Sequence, residues 1–229
     1  MSAPYTIVYD LDGTLVDTAP DLLHTLNTVL DRFGYPHANP DDIGNLVGHG
    51  AKAMLERALS VIGKPQDPAL ISSLFDEFLN HYVDNLTRHG SQPYPHVVET
   101  IDAFHKAGVA QGICTNKFQT GADGLLAELN LTHYFPTVLG GNALSVRKPD
   151  PLHITETVRR LGGTLDHAVM VGDSRNDSAA ALGAGIPVII VSYGYTSEPP
   201  HKLDADIVID SFDELPGAIK AVTGRNLLA

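Results

Sequence analysis

Short apolar runs rich in β-branched residues alternate with segments of helical period along this chain, and the alternation breaks once. Between about Thr18 and Gln92 only helical patterning remains. Strand and helix in alternation specify a mainly parallel sheet covered by helices, because parallel strands need a crossover that a helix supplies. The predicted strands are Tyr5 to Tyr9, Val109 to Cys114, Thr137 to Leu139, Ala168 to Val171, Pro187 to Val191 and Asp206 to Ile209. Inside the interruption Leu22, Leu23, Leu26, Val29, Leu30 and Phe33 recur at three- and four-residue spacing, with Thr18 placed to cap the helix and Gly34 to stop it. Ala51 to Ile62 and Ala69 to Leu86 read the same way. The expected organisation is an α/β core of residues 1–17 and 93–229 carrying an all-helical cap, residues 18–92, with hinges near Asp17/Thr18 and Pro93/Pro95.

No apolar run approaches the ~20 residues that span a bilayer, and no basic-then-apolar leader opens the chain, so a soluble cytoplasmic protein is expected. Acidic residues outnumber basic ones 27 to 15, a formal charge of −12, which disfavours nucleic acid and anionic membrane as partners. An anionic substrate must then be drawn in by local cations. The lone Cys114 cannot pair and belongs to an apolar run. The 11 histidines show no zinc-site spacing.

The first predicted strand runs directly into Asp10-Leu11-Asp12-Gly13-Thr14-Leu15-Val16-Asp17. Ligands of open α/β sheets bind at this C-terminal strand edge. Residues two apart on an extended chain face the same way, so Asp10 and Asp12 can address one pocket. Gly13 lets the backbone turn and present N–H groups to an anion, and Thr14 adds a hydroxyl. The plainer alternative is an Asx-turn ending a strand, which needs no such succession of residues. The strand Ala168 to Val171 ends in Gly172-Asp173-Ser174-Arg175-Asn176-Asp177. This is either a second carboxylate set for the same edge or a capping turn with Asp173 or Ser174 as N-cap. Carboxylates ~4 Å apart repel by ~4 kcal/mol at an effective dielectric of ~20, so a cluster needs a cation. All-oxygen ligation with room for water and phosphate oxygens suits magnesium. Lys117, in Thr115-Asn116-Lys117, and Lys148, in Lys148-Pro149-Asp150-Pro151, are each ordinary surface residues alone. Together they offer the charge that a dianionic phosphate and Asp10 require.

Asp10 to Thr18 (DLDGTLVDT), Thr115, Lys148 and Gly172 to Asp177 (GDSRND), in this order and spacing, resemble the four-part signature of the haloacid dehalogenase superfamily over nearly the whole chain. The resemblance implies a Rossmann-like core, a nucleophilic Asp10 and an Asp12 that protonates the leaving alkoxide and then activates water. It further implies magnesium held by the Asp10 side chain, the Asp12 backbone carbonyl and Asp173, with Asp177 supporting or binding through water. Thr115 and the Gly13/Thr14 backbone would hold phosphate oxygens, and Lys148 would neutralise Asp10 and the phosphoryl group. Dehalogenases of the family lack the second aspartate, so dehalogenation is disfavoured.

Val47-Gly48-His49-Gly50-Ala51, the run Leu55 to Leu59, Thr115-Asn116-Lys117, Arg147-Lys148-Pro149 and Tyr193-Gly194-Tyr195 before Pro199 are similar to the bacterial phosphoglycolate phosphatases. That branch implies magnesium-dependent hydrolysis of 2-phosphoglycolate by a cytoplasmic monomer or homodimer. Gly48 and Gly50 permit close backbone approach, and a helix starting near Gly50 points free N–H groups at a substrate carboxylate. Lys52 and Arg57 are alternative anchors or solvated helix residues, and His49 either contacts substrate or caps the helix. Other readings remain: a phosphatase of sugar phosphates, nucleotides or pyrophosphate; a β-phosphoglucomutase-like phosphomutase; a phospho-acceptor switch; a structural metal protein. Asp12 argues against the switch, and Thr115 with two lysines against the structural site.

Overall fold

The structure is a computed structural model that describes residues 4–39, 50–196 and 198–228. In chain order its elements are β1 (Thr6–Tyr9), β2 (Val16–Asp17), α1 (Ala19–Arg32), α2 (Ala51–Val61), α3 (Pro68–Val83), β3 (Gln92–Pro93), α4 (Val97–Lys106) and β4 (Ala110–Cys114). There follow α5 (Gln119–Glu128), β5 (Thr137–Leu139), α6 (Pro151–Arg160), β6 (Ala168–Gly172), α7 (Arg175–Ala184), β7 (Val188–Val191), β8 (Ile207–Ile209) and α8 (Leu215–Thr223).

Six strands form one sheet in the order β5-β4-β1-β6-β7-β8, every pair parallel. The α/β class read from the sequence is what the chain adopts, with each sheet strand within a residue of its expected position. β1 lies at the centre, Thr6 aligned with Ala110 on one side and Ala168 on the other, and all four of its residues are buried. Such strands, covered on both faces, read as continuous apolar runs without alternation. The polar exception in β4, Gln111, is satisfied: its Oε1 accepts from the Tyr9 hydroxyl at 3.0 Å and its Nε2 donates to the Ile101 carbonyl at 3.0 Å.

Because β4, β1 and β6 are neighbours running the same way, the residues that follow them, Thr115, Asp10 and Asp173, converge on one sheet edge. The order reverses across β1, the switch point at which open α/β sheets bind ligands.

Helices α1, α2 and α3 bury Leu26, Leu30, Leu55, Leu59, Leu74 and Phe78 in the same hydrophobic cluster as Tyr9 and Leu11. The passes into and out of this helical segment pair with each other: β2 and β3 form a two-stranded antiparallel ribbon, Val16 against Pro93 and Asp17 against Gln92. The sequence reading left residues 18–92 without a strand, so Gln92 is a correction; a two-residue ribbon is too short to leave a periodic signal. Thr18, expected to cap α1, makes no capping bond with its side chain. Buried Asp21, in the first turn of α1, instead accepts from the backbone N–H groups of His89 and Ser91, both at 2.7 Å, and so clamps the returning chain. Among the described residues no helix is long and apolar enough to cross a membrane.

Candidate active site

Asp10 leaves β1 with its N–H donated to the Val171 carbonyl at 2.9 Å, which extends the β1/β6 ladder by one bond and aims the carboxylate over the sheet edge. Its Oδ1 accepts from the Leu11 N–H at 2.7 Å and lies 3.0 Å from Lys148 Nζ; among the described residues its Oδ2 has no protein donor. Lys148, fully enclosed, also donates to Asp177 Oδ1 at 2.6 Å. Asp177 Oδ2 takes three donors from the turn at the start of α7: the N–H groups of Asp173 (3.2 Å) and Ser174 (3.0 Å) and the Ser174 hydroxyl (2.6 Å). Both readings of this segment are therefore true, since one carboxylate organises the helix start and faces the cluster.

Asp173 is held from two sides, Oδ1 by the Thr14 hydroxyl at 3.2 Å and Oδ2 by the Tyr195 N–H at 2.7 Å. One oxygen each from Asp10, Asp173 and Asp177 lies within 4.8 Å of the others, all three residues buried. Burial, opposed by Lys148 and reinforced by Asp177, pushes the Asp10 carboxyl up to about 6. Burial first and the neighbouring Asp177 and Asp10 charges next raise Asp173 well above its ordinary value. Burial pulls the Lys148 ammonium down, but Asp10 and Asp177 outweigh it and hold the lysine above its ordinary value. One lysine among three carboxylates leaves the cluster short of positive charge, and its donor set is all oxygen. It is a fit place for a hard metal ion.

Asp12 faces a separate cation. Lys117 Nζ donates to its Oδ1 at 2.8 Å and Oδ2 at 3.1 Å, Thr18 Oγ1 donates to Oδ1 at 2.8 Å, and the ammonium rests 4.4 Å from the centre of the Tyr82 ring. Asp10, Asp12 and Lys117 line a cavity roofed by Met54 of α2 and by Phe78 and Tyr82 of α3. In walls this apolar a charge pair is worth more than in water.

The remaining sequence candidates divide. Thr115 and Asn116 are buried at the same edge; the Thr115 hydroxyl accepts from the Lys117 N–H at 3.2 Å, and Asn116 Nδ2 donates to the Lys148 carbonyl at 3.0 Å. Asn116 Oδ1 is buried without a hydrogen-bond partner among the described residues. Gly50 borders the cavity with φ 85°, a conformation that favours glycine. Gly48 and His49 lie outside the described residues. Gly13 and Thr14 differ from expectation. The Gly13 N–H bonds the Val16 carbonyl at 2.9 Å, the Thr14 N–H points to the Leu11 carbonyl at 3.4 Å, and the Thr14 hydroxyl is committed to Asp173. The turn consumes these donors internally. What Gly13 provides is room, since a Cβ there would lie 2.5 Å from Asp173 Oδ2 and 2.9 Å from Tyr195 Cδ2.

Sequence reasoning passed over Thr18, Gly194 and Tyr195 as site residues. Their signals were membership of the quoted motifs, without a role, and position: Tyr193-Gly194-Tyr195 follows the C-terminal end of β7, at the edge that carries Asp10 and Asp173.

Fold and site together define an α/β protein with a carboxylate and lysine centre at a sheet switch point. Residues 7–191 match the model of the haloacid dehalogenase-like hydrolases. Over 215 residues the chain is 44% identical to the phosphoglycolate phosphatase of Mesorhizobium japonicum, 94% of each chain being covered. It is 42% identical to that of Caulobacter vibrioides over 93% of this chain and 90% of the other. A crystal structure described as a predicted phosphoglycolate phosphatase from Haemophilus somnus superposes with a TM-score of 0.87 at 30% identity, covering 95% of this chain and 99% of that one. The chain belongs to the haloacid dehalogenase-like hydrolase family.

Proposed function

We propose that this hydrolase of phosphoric monoesters acts on 2-phosphoglycolate, releasing glycolate and phosphate through an aspartyl phosphate on Asp10. The observation that carries the reading is the division of labour between two carboxylates two residues apart. Asp10 is paired with Lys148 and Asp12 with Lys117, both at one cavity. Separate counter-ions give the two groups separate tasks.

In the first step the Asp10 carboxylate attacks phosphorus, the ester P–O bond breaks, and Asp12 delivers a proton to the departing glycolate oxygen. In the second, Asp12 takes a proton from water as that water attacks phosphorus, the bond to Asp10 breaks and phosphate leaves. Asp12 can donate a proton only when Lys117 releases it, and a substrate carboxylate competes for that ammonium. A phosphorylated small acid therefore suits this cavity better than a neutral ester. Lys148 stays beside Asp10 throughout and balances charge on the phosphoryl group. Thr115 and Asn116, buried at the same edge, would take phosphate oxygens.

Magnesium fits the buried oxygen cluster. The Asp10 and Asp173 side chains and the Asp12 carbonyl would hold it, with Asp177 in support because its Oδ2 is already committed to the turn. Bound there, the ion neutralises phosphate oxygens and relieves repulsion between Asp10 and the substrate. Residues 18–92 act as a cap over a core of 1–17 and 93–229 and shelter the reaction from bulk water, with Gly50 bordering the cavity. The enzyme works in the cytoplasm as a monomer or homodimer without nucleic acid or membrane.

Phosphate release from a panel of 2-phosphoglycolate, sugar phosphates, nucleoside monophosphates and pyrophosphate, with and without magnesium, tests the reading beside Asp10→Asn. Magnesium-dependent preference for 2-phosphoglycolate, lost in the variant, is expected. Preference for another ester would discard the substrate, and substantial turnover by Asp10→Asn would discard the mechanism.

A further inference from the structure

We propose that Tyr195 is a positioning residue that fastens the hinge of the helical segment to the carboxylate cluster, so that one side chain sets the start of α1 and its backbone sets Asp173. The inference deepens the phosphatase reading and rests on it.

The Tyr195 hydroxyl has one donor and two acceptor positions, and the entry to α1 engages all three. It donates to Asp17 Oδ1 at 2.5 Å and accepts from the N–H groups of Thr18 at 2.6 Å and Ala19 at 2.8 Å. These two N–H groups begin α1 and have no partner within the helix. The Ala19 N–H also reaches Asp17 Oδ1 at 3.3 Å, so a residue 177 positions away in sequence does the work of an N-cap together with Asp17. The substitution has a consequence for the site, because it frees the Thr18 hydroxyl, which donates to Asp12 at 2.8 Å. On its other side the Tyr195 N–H fixes Asp173 Oδ2 at 2.7 Å. Two glycines make room for this arrangement: a Cβ on Gly194 would collide with Asp173, and one on Gly13 would strike both Asp173 and the Tyr195 ring. Tyr193 braces the same loop by donating to the Thr14 carbonyl at 3.0 Å, its ring 4.4 Å from that of Tyr94, which follows β3.

The hinge strand β2, the start of α1, Asp12 and Asp173 consequently share one frame. Rotating residues 18–92 about the β2/β3 ribbon strains the three bonds at the Tyr195 hydroxyl, and through Thr18 it moves Asp12. Tyr195 therefore aligns the acid-base group and the cluster in the arrangement in which the helical segment covers them.

Tyr195→Phe tests this, since it keeps the ring and the N–H to Asp173 and removes only the hydroxyl. On the best ester of the wild-type panel kcat is expected to fall about ten- to a hundredfold, with KM changed by less than about threefold. Amide exchange of Thr18 and Ala19 is expected to quicken while that of the sheet is unchanged. Asp17→Ala, which releases the hydroxyl from one side, should lower kcat in the same direction, and the double variant should fall little further than Tyr195→Phe alone. Should Tyr195→Phe fail to fold, Asp17→Ala carries the test under the same criteria. A kcat within about twofold of wild type, even with reduced stability, would overturn the proposal and leave Tyr195 as packing. An inactive wild type would instead count against the phosphatase reading, so the two failures are distinct.

Discussion

Replacing Asp21 by Ala removes a single carboxylate and leaves two backbone N–H groups, of His89 and Ser91, without acceptors. Both bonds are 2.7 Å long, and the carboxylate that accepts them is fully buried. A hydrogen bond to a charged group contributes about 1.5–3 kcal/mol. Two would give about 3–6 kcal/mol if the N–H groups stayed dry, and His89, an exposed residue, can recover part of its loss by turning to water. Attraction between Asp21 and the N-terminal dipole of α1 adds a few tenths to about 1 kcal/mol. The expected loss for Asp21→Ala is about 3 kcal/mol, a large share of the ~5–15 kcal/mol that holds a typical domain together. Asp21→Asn keeps one acceptor oxygen and should lose about half as much. Urea unfolding followed by far-ultraviolet circular dichroism, without metal or substrate, measures both. A loss under about 1 kcal/mol for Asp21→Ala would refute the idea that this carboxylate clamps the returning chain to α1.

Three further outcomes follow from the geometry. Lys148→Met leaves Asp10 and Asp177 without their shared counter-ion; it should cost about 3–5 kcal/mol of stability, partly restored by magnesium, and lower kcat about a thousandfold, read by thermal unfolding and phosphate release. Gly194→Ala drives a methyl group into Asp173, so activation should need at least about tenfold more magnesium, with a smaller change in KM for the ester. Neither ring nitrogen of buried His153 has a hydrogen-bond partner of good geometry among the described residues, and burial with the Lys148 charge, only partly offset by the Gly140 backbone, lowers its pKa from 6.5 to about 4. The unfolded chain binds that proton more readily, so stability is full above about 6.5 and falls by at most about 3 kcal/mol as pH drops to about 4. His153→Phe should flatten this part of the stability profile, and an unchanged slope in urea titrations at several pH values would contradict the assignment.

The strands and the catalytic candidates were legible because their signals are local. Tyr-Thr-Ile-Val-Tyr is an apolar β-branched run wherever it occurs, and Asp10 and Asp12 share a face by strand geometry alone. Their convergence with Thr115 and Asp173 was legible too, since strand-end residues of a parallel sheet share one edge. The local bonding of Gly13 and Thr14 was not legible, because a glycine turn exposes N–H groups only if no nearby carbonyl takes them, and here Val16 and Leu11 do. Thr18 looked like a cap by residue type, yet the first N–H groups of α1 go chiefly to Tyr195, far away in sequence, with Asp17 in support. Lys117 was expected beside the phosphate and proves bonded to Asp12, a choice between two carboxylates that only packing against Tyr82 decides. Each of these depends on a long-range contact that periodicity cannot report.

The central claim is a covalent bond between Asp10 and phosphorus. Acid quench of the enzyme within one turnover of radiolabelled 2-phosphoglycolate, followed by peptide mapping, tests it most directly. The account predicts acid-stable, base-labile label on the peptide that contains Asp10, absent in Asp10→Asn. Turnover with no label on the protein at any quench time, or label on another residue, would contradict it.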